Sequence, residues 1–71
     1  MFDIELYKKK YPKGTRIRLV SMDDSQAPSK GTLGTITGIG RVGSNEGVLY
    51  VEWDTGSVLN LLVGIDEFEV V

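Results

Sequence analysis

Residues 31–63 constrain the fold of this chain more than any other part of it. They read GTLGTITGIGRVGSNEGVLYVEWDTGSVLNLLV. Short segments rich in valine, isoleucine, threonine and aromatic residues, separated by glycine-containing turns, are typical of β-strands joined as hairpins. The remaining residues are therefore expected to complete a sheet that these strands begin.

The hairpin around residues 53–57 has two alternative registers. A two-residue loop at Thr55 and Gly56 would place Asn60 on the apolar face. A three-residue loop over residues 54–56 instead pairs Trp53 with Ser57, Val51 with Leu59 and Leu49 with Leu61. A slip of one residue turns every side chain to the opposite face, so the choice matters. We choose the three-residue loop, which leaves one apolar face and places Gly56 in the left-handed region, where glycine has no steric cost.

The other elements are predicted from the spacing of apolar residues and from the positions of residues that interrupt helices and strands. Residues 2–11 predict a short helix that ends before Pro12 and docks through Phe2, Leu6 or Tyr7. Residues 15–22 alternate between apolar and polar and predict a strand with Arg16 and Arg18 in water. A strand over residues 33–39, a turn over 43–47, a tight turn over 64–67 and a final strand at 68–70 complete the pattern. Asp23 to Lys30 is polar and loop-like.

Five short strands predict an all-β domain in the form of a small, strongly bent barrel. Residues 1–12 are assigned to the helix and turn, and residues 13–71 to the barrel. The expected core consists of Ile17, Leu19, Ile36, Ile39, Leu49, Val51, Trp53, Leu59, Leu61, Phe68 and Val70.

Composition narrows the function classes. The 71 residues include no cysteine and no histidine, which removes the thiolate nucleophile, the disulfide and the commonest general base and metal ligand. No apolar run reaches the roughly 20 residues of a membrane span, and no signal-peptide pattern is visible. We expect a cytoplasmic domain that is not an enzyme, with no catalytic, cofactor or metal site and no membrane association.

The charges divide unevenly along the chain. Residues 1–20 carry six lysines and arginines against two carboxylates, and residues 21–71 carry two against eight. Such polarity can steer a domain toward a charged partner, although opposite charges on a small surface also maintain solubility.

Several motifs together carry a family resemblance. They are Tyr11-Pro12-x-Gly14-Thr15-Arg16, Leu19-x-Ser21-Met22-Asp23-Asp24, Pro28-x-x-Gly31-Thr32-x-Gly34-Thr35-Ile36, Val51-x-Trp53-Asp54-x-Gly56-Ser57, Leu59-x-Leu61 and Gly64-x-Asp66-x-Phe68-x-Val70. They resemble a family of small bacterial domains of unknown function found as short proteins and in proteins of conjugative elements and phages. The sequence also looks like an SH3-like barrel. The resemblance covers residues 11–71. The main departure is the loop at residues 40–47, which looks longer than the corresponding segment of the family. It implies a five-stranded SH3-like barrel and a mobile-element origin, and it supplies no catalytic residue.

Two local patterns have ordinary structural explanations. Residues 38–43 match G-x-G-x-x-G, but a dinucleotide site needs this pattern between a strand and a helix, and another strand is predicted to follow. Asp23 and Asp24 are adjacent carboxylates, yet neighbours in an extended segment point apart, so a solvated loop is the simpler interpretation.

Two sets of residues remain as candidate contacts. For a nucleic acid they are the basic residues Lys8, Lys9, Lys10, Lys13, Arg16 and Arg18, interleaved with aromatic rings that stack on bases. For a protein partner they are Asp23, Asp24, Tyr50, Glu52, Asp54 and Asp66. A pI near 4.9 disfavours nucleic acid. The leading hypothesis is a protein-binding module, as an adaptor or an inhibitor of a host enzyme; the alternative is a nucleic-acid-binding accessory domain. A monomer and a weak homodimer both remain open.

Overall fold

The structure, a computed structural model, describes residues 3–22, 25, 27–43 and 46–71, and these form one helix and five strands. In chain order the elements are α1 (Ile4–Lys10), β1 (Arg16–Ser21), β2 (Leu33–Val42), β3 (Glu46–Trp53), β4 (Leu61–Leu62) and β5 (Glu67–Val70). The strands make one antiparallel sheet in the order β4-β3-β2-β1-β5. The structure confirms a small, mostly β domain with five strands in one antiparallel sheet and a short N-terminal helix. Because β4 and β5 occupy opposite edges, the strand pairing of the described residues does not close the sheet.

Helix α1 begins at an aspartate cap. The Asp3 carboxylate accepts hydrogen bonds from the backbone N–H groups of Glu5 and Leu6, at 3.1 and 3.2 Å, which satisfies two of the unpaired donors of the first turn. Of the predicted docking residues, Leu6 is 57% exposed and Phe2 lies outside the described residues. Tyr7 is half-buried and stacks on Tyr11, so the helix docks through its aromatic side chain.

Strand β1 has the predicted alternation. Ile17 and Leu19 are buried, and Arg18 is exposed on the opposite face. On its two sides β1 pairs with β2 and with β5, where Leu19 lies opposite Phe68. Strand β1, which follows α1 in the chain, is therefore paired with the C-terminal strand β5.

Strands β2 and β3 form a hairpin that is longer than predicted. The pairs Gly40 with Val48, Arg41 with Gly47 and Val42 with Glu46 belong to the ladder. The expectation of a long loop at residues 40–47 was therefore wrong. The prediction depended on the alternation of apolar and polar side chains, and glycines have no side chain that would show it. Their backbone groups nevertheless form the ladder hydrogen bonds like those of any other residue.

The predicted β3–β4 register is correct. Leu49 lies opposite Leu61 and Val48 opposite Leu62. At the turn, Gly56 has a φ of +93°, and the Trp53 N–H donates to the Ser57 carbonyl at 3.0 Å. Strand β4 is short, because residues 57–60 do not pair with β3 in the ladder. The Leu59 carbonyl there accepts a 2.7 Å hydrogen bond from the Trp53 indole N–H.

The core lies on the face of the sheet that carries the only tryptophan in the sequence. Its fully buried members are Ile17, Leu19, Ile36, Leu49, Val51, Trp53 and Leu61, and Ile39 and Phe68 pack against them. Three expectations differ from the structure. Val70 is 56% exposed because it ends an edge strand, and Leu59 is only half-buried. Val48 was not predicted, yet it is 4% exposed, and it pairs with Gly40 on one side and Leu62 on the other.

Candidate functional site

A β-bulge at Thr37 lies between two surface concavities. The β2–β3 register shifts between Ile36 and Gly38, so Thr37 is the extra residue of β2. Its hydroxyl donates to the Tyr50 carbonyl at 3.3 Å. Bulges turn side chains away from the regular alternation and are common beside functional sites. Thr37 lines both concavities, so the two meet at this residue.

The first, which we call the lysine concavity, lies between the end of α1 and β2. Its volume is about 410 Å³, and its lining residues are Lys8, Tyr11, Pro12, Lys13, Thr37, Gly38 and Ile39. Two cationic side chains here border a largely apolar surface. The sequence analysis identified both lysines but not the apolar lining, because Ile39 is distant in the chain from the helix.

The wall formed by residues 12–15 is a hydrogen-bonded turn. The Pro12 carbonyl accepts from the Thr15 N–H at 3.0 Å and from the Thr15 hydroxyl at 2.6 Å. The Gly14 N–H donates to the Ile36 carbonyl at 2.7 Å. Gly14 has a φ of +95°, a conformation that favours glycine. These bonds hold the backbone that carries Lys13 against β2.

An aromatic row holds Tyr11, another lining residue of the lysine concavity. Tyr7 stacks on Tyr11 with ring centroids 5.9 Å apart, and Tyr11 meets Phe68 edge to face at 5.2 Å. The Lys10 ammonium lies over both tyrosine rings, 5.9 Å from Tyr7 and 5.4 Å from Tyr11, within the range of a cation–π interaction. Through Phe68, which packs against the core, Tyr11 ties α1 to the sheet.

The second, which we call the acidic concavity, lies on the outer side of the β2–β3 pair. Its volume is about 480 Å³, and it is lined by Thr35, Thr37, Glu52, Trp53, Asp54 and Gly56. Glu52 is exposed and has no ion-pair partner among the described residues. The two concavities therefore place opposite charges on the two sides of Thr37.

Asp54 is engaged by Arg16. The guanidinium donates to both carboxylate oxygens, at 2.8 and 2.7 Å, and also to the Thr35 hydroxyl at 2.8 Å. The hydrogen bond from Arg16 is the main reason that the pKa of Asp54 is lowered, and burial acts against it. The same bond raises the pKa of Arg16. A carboxylate held in its ionised form in this way is a poor general base.

The predicted nucleic-acid residues separate into two groups. Lys8 and Lys13 line the lysine concavity, Lys9 is exposed, and Lys10 covers the tyrosine rings. Arg16 and Arg18 instead lie on the outer face of β1, where Arg16 pairs with Asp54 and Arg18 with Glu69 at 3.4 Å. The structure therefore does not join the six cations into one free basic face.

The predicted protein-contact residues also divide. Glu52 and Asp54 share the acidic concavity, and Tyr50 is exposed on β3. Asp66 lies in the turn between β4 and β5, where its carboxylate accepts from the Leu62 N–H at 2.8 Å. Asp23 and Asp24 lie outside the described residues. Thr35 and Thr37, which the sequence analysis did not select, complete the polar lining.

The G-x-G-x-x-G pattern begins within β2 and serves packing there. Gly38 and Gly40 face the Tyr50 ring, and a Cβ on Gly40 would collide with the Tyr50 hydroxyl. The pattern leads into β3 rather than into a helix, so it lacks the geometry of a phosphate-binding turn. Among the residues that the structure describes, no three acidic side chains form a group able to hold a metal ion.

Comparison with known families gives one match. A family model matches residues 2–71, which is nearly the whole chain. The chain belongs to the family described as domain of unknown function (DUF4314). The DUF4314 match includes α1, whereas the motif resemblance covered only residues 11–71, so the lysine-bearing helix lies within the family's domain. No curated protein and no solved structure matches the sequence. No helix in the described part of the chain is long and apolar enough to cross a membrane.

Proposed function

We propose that this DUF4314 domain is a non-enzymatic module that binds a protein partner along the groove formed by the two concavities. The observation that carries the proposal is their meeting at Thr37, with Lys8 and Lys13 on one side and Glu52, which has no described ion-pair partner, on the other. A surface with both charges in fixed positions complements a protein segment whose own charges are arranged oppositely. A polyanion is complementary only to the lysine concavity, which is one half of this surface.

The scaffold that we propose is an SH3-like barrel. The strand order β4-β3-β2-β1-β5, with the last strand beside the first, supports this assignment, as do the short β4 and the bulge in β2. The motif resemblance adds a mobile-element origin, from a phage or a conjugative element, and action in the cytoplasm. The proposal includes an inhibitor of a host enzyme as one form of this protein-binding module.

Three observations favour a protein partner over nucleic acid. Arg16 and Arg18 are neutralised by carboxylates, which leaves fewer cations to contact phosphates than the sequence suggested. Glu52 in the acidic concavity, which has no described ion-pair partner, would also repel a phosphate backbone that extends beyond the lysines. With a net charge of −2, the domain has no general attraction for a polyanion.

Photo-crosslinking tests the proposal. A photoreactive phenylalanine analogue is placed at Thr37, at the centre of the groove, and in a matched variant at the exposed Lys30, which lines neither concavity. Both are irradiated in a lysate of the source organism, with and without nuclease. We expect a discrete crosslinked protein from the Thr37 position alone, unchanged by nuclease. Equal products from both positions would contradict the groove, and a crosslink to nucleic acid at Thr37 would replace the proposal with the alternative.

A further inference from the structure

We infer that the protein segment bound in the groove carries a carboxylate next to an apolar side chain. Lys8 and Lys13 bind the carboxylate, and Tyr11, Pro12 and Ile39 contact the apolar side chain. This inference rests on the proposed function and names the chemistry of the partner at one end of the groove. Its basis is the pairing of cations and apolar surface within the lysine concavity.

The position of Lys13 is the first argument. Lysines 8 to 10 lie in the last turn of α1, where cations interact favourably with the helix dipole. Lys13 lies beyond the helix, yet it lines the same concavity as Lys8. Like charges at one concavity repel each other, and no carboxylate is among the described residues that line it. A bound anion relieves this repulsion.

The availability of the two lysines is the second argument. The Lys10 ammonium already interacts with two tyrosine rings. Arg16 and Arg18 already have carboxylate partners. The described ion pair of Lys8 is with Glu5, at 3.8 Å between two exposed side chains. Such an exposed pair contributes little to stability and is readily replaced by a ligand carboxylate. Lys13 has no described ion-pair partner.

The rigidity of the apolar surface is the third argument. Tyr11 is fixed by its contact with Phe68, and the turn beginning at Pro12 is bonded to β2 through Gly14. A surface that is ordered before binding loses little conformational entropy when a ligand docks. A carboxylate ligand with an apolar neighbour uses both the lysines and this surface, whereas a phosphate backbone uses the lysines alone.

Binding of defined probes tests the inference. The probes are a fluorescein-labelled peptide of alternating glutamate and leucine with glycine-serine ends, the same peptide with glutamine in place of glutamate, and an oligothymidylate of equal length. Fluorescence anisotropy is measured with the full chain and with two double variants, Lys8→Glu/Lys13→Glu and Lys9→Glu/Lys30→Glu. Both variants have the same net charge, but only the first alters the lysine concavity. Thermal unfolding of each variant verifies that it is folded.

We expect the glutamate peptide to bind the wild type and the Lys9/Lys30 variant alike. The Lys8/Lys13 variant should bind it about tenfold more weakly, since two exposed attractions become repulsions. The glutamine peptide should bind weakly to all three proteins. Amide shifts on peptide binding should be largest at Thr37, Gly38 and Ile39.

Three outcomes would overturn the inference. They are equal losses in the two charge variants, binding of the glutamine peptide as tight as that of the glutamate peptide, and a preference for oligothymidylate. If no probe binds while Thr37 still crosslinks a protein, the inference fails and the proposed function stands. If Thr37 crosslinks nothing as well, both fail.

Discussion

Replacing Gly34 with alanine places a methyl group in the tightest part of the core. A Cβ at this position would lie 2.7 Å from Trp53 Cε3 and 2.9 Å from Val51 Cγ1. Trp53 is 1% exposed and Val51 is 3% exposed, so neither side chain can move into solvent. Overpacking of this kind costs about 1–3 kcal/mol. Removing the glycine also reduces the conformational entropy of the unfolded chain, which offsets about 0.4–1 kcal/mol of this cost. From the midpoints of the two ranges we expect a net destabilisation of about 1 kcal/mol.

Gly38→Ala is the matched control, because it makes the same change in the same strand. Its Cβ would lie 3.4 Å from Tyr50 Cδ2, at an exposed ring, so only the effect on the unfolded chain remains, and this variant should be as stable as the wild type or up to about 1 kcal/mol more stable. Urea unfolding followed by the fluorescence of the single tryptophan measures all three proteins. A Gly34→Ala protein as stable as the wild type would refute the packing argument. Equal losses at both positions would attribute the effect to β2 in general.

Three further predictions concern single interactions. Trp53→Phe removes the indole donor and leaves the Leu59 carbonyl without that partner, so thermal unfolding should show a loss of about 1–3 kcal/mol; no change would mean that residues 57–60 are held by other contacts. Asp54 has a pKa below its ordinary 3.8 because Arg16 donates to it, so the stabilisation is present above that pH and is lost as the pH falls through the lowered pKa. Asp54→Asn should therefore lower the melting temperature at neutral pH and lessen its decline in acid, and parallel pH profiles would contradict this. Asp3→Ala should cost about 0.5–1 kcal/mol and speed amide exchange in the first turn of α1; unchanged exchange there would count against the cap.

The candidate site shows what local sequence could not predict. Arg16 and Arg18 were assigned to a basic face because they alternate with buried residues in β1. Their neutralisation by Asp54 and Glu69 depends on β2, β3 and β5 bringing distant segments beside β1. The lysine concavity likewise combines the end of α1 with Ile39 of β2. No periodicity in either segment indicates the other.

The sequence by itself determined the all-β class, the helix and its end before Pro12, and the register of β3 and β4. Alternating side chains and the requirement for a positive φ at Gly56 act between near neighbours, so they can be recognised in the sequence. Only the tertiary structure decided the length of β2, the bulge at Thr37 and which charges stay free. Glycines in β2 carry no side chain to show a period, and an ion pair exists only where the fold brings its two members within a few ångströms of each other.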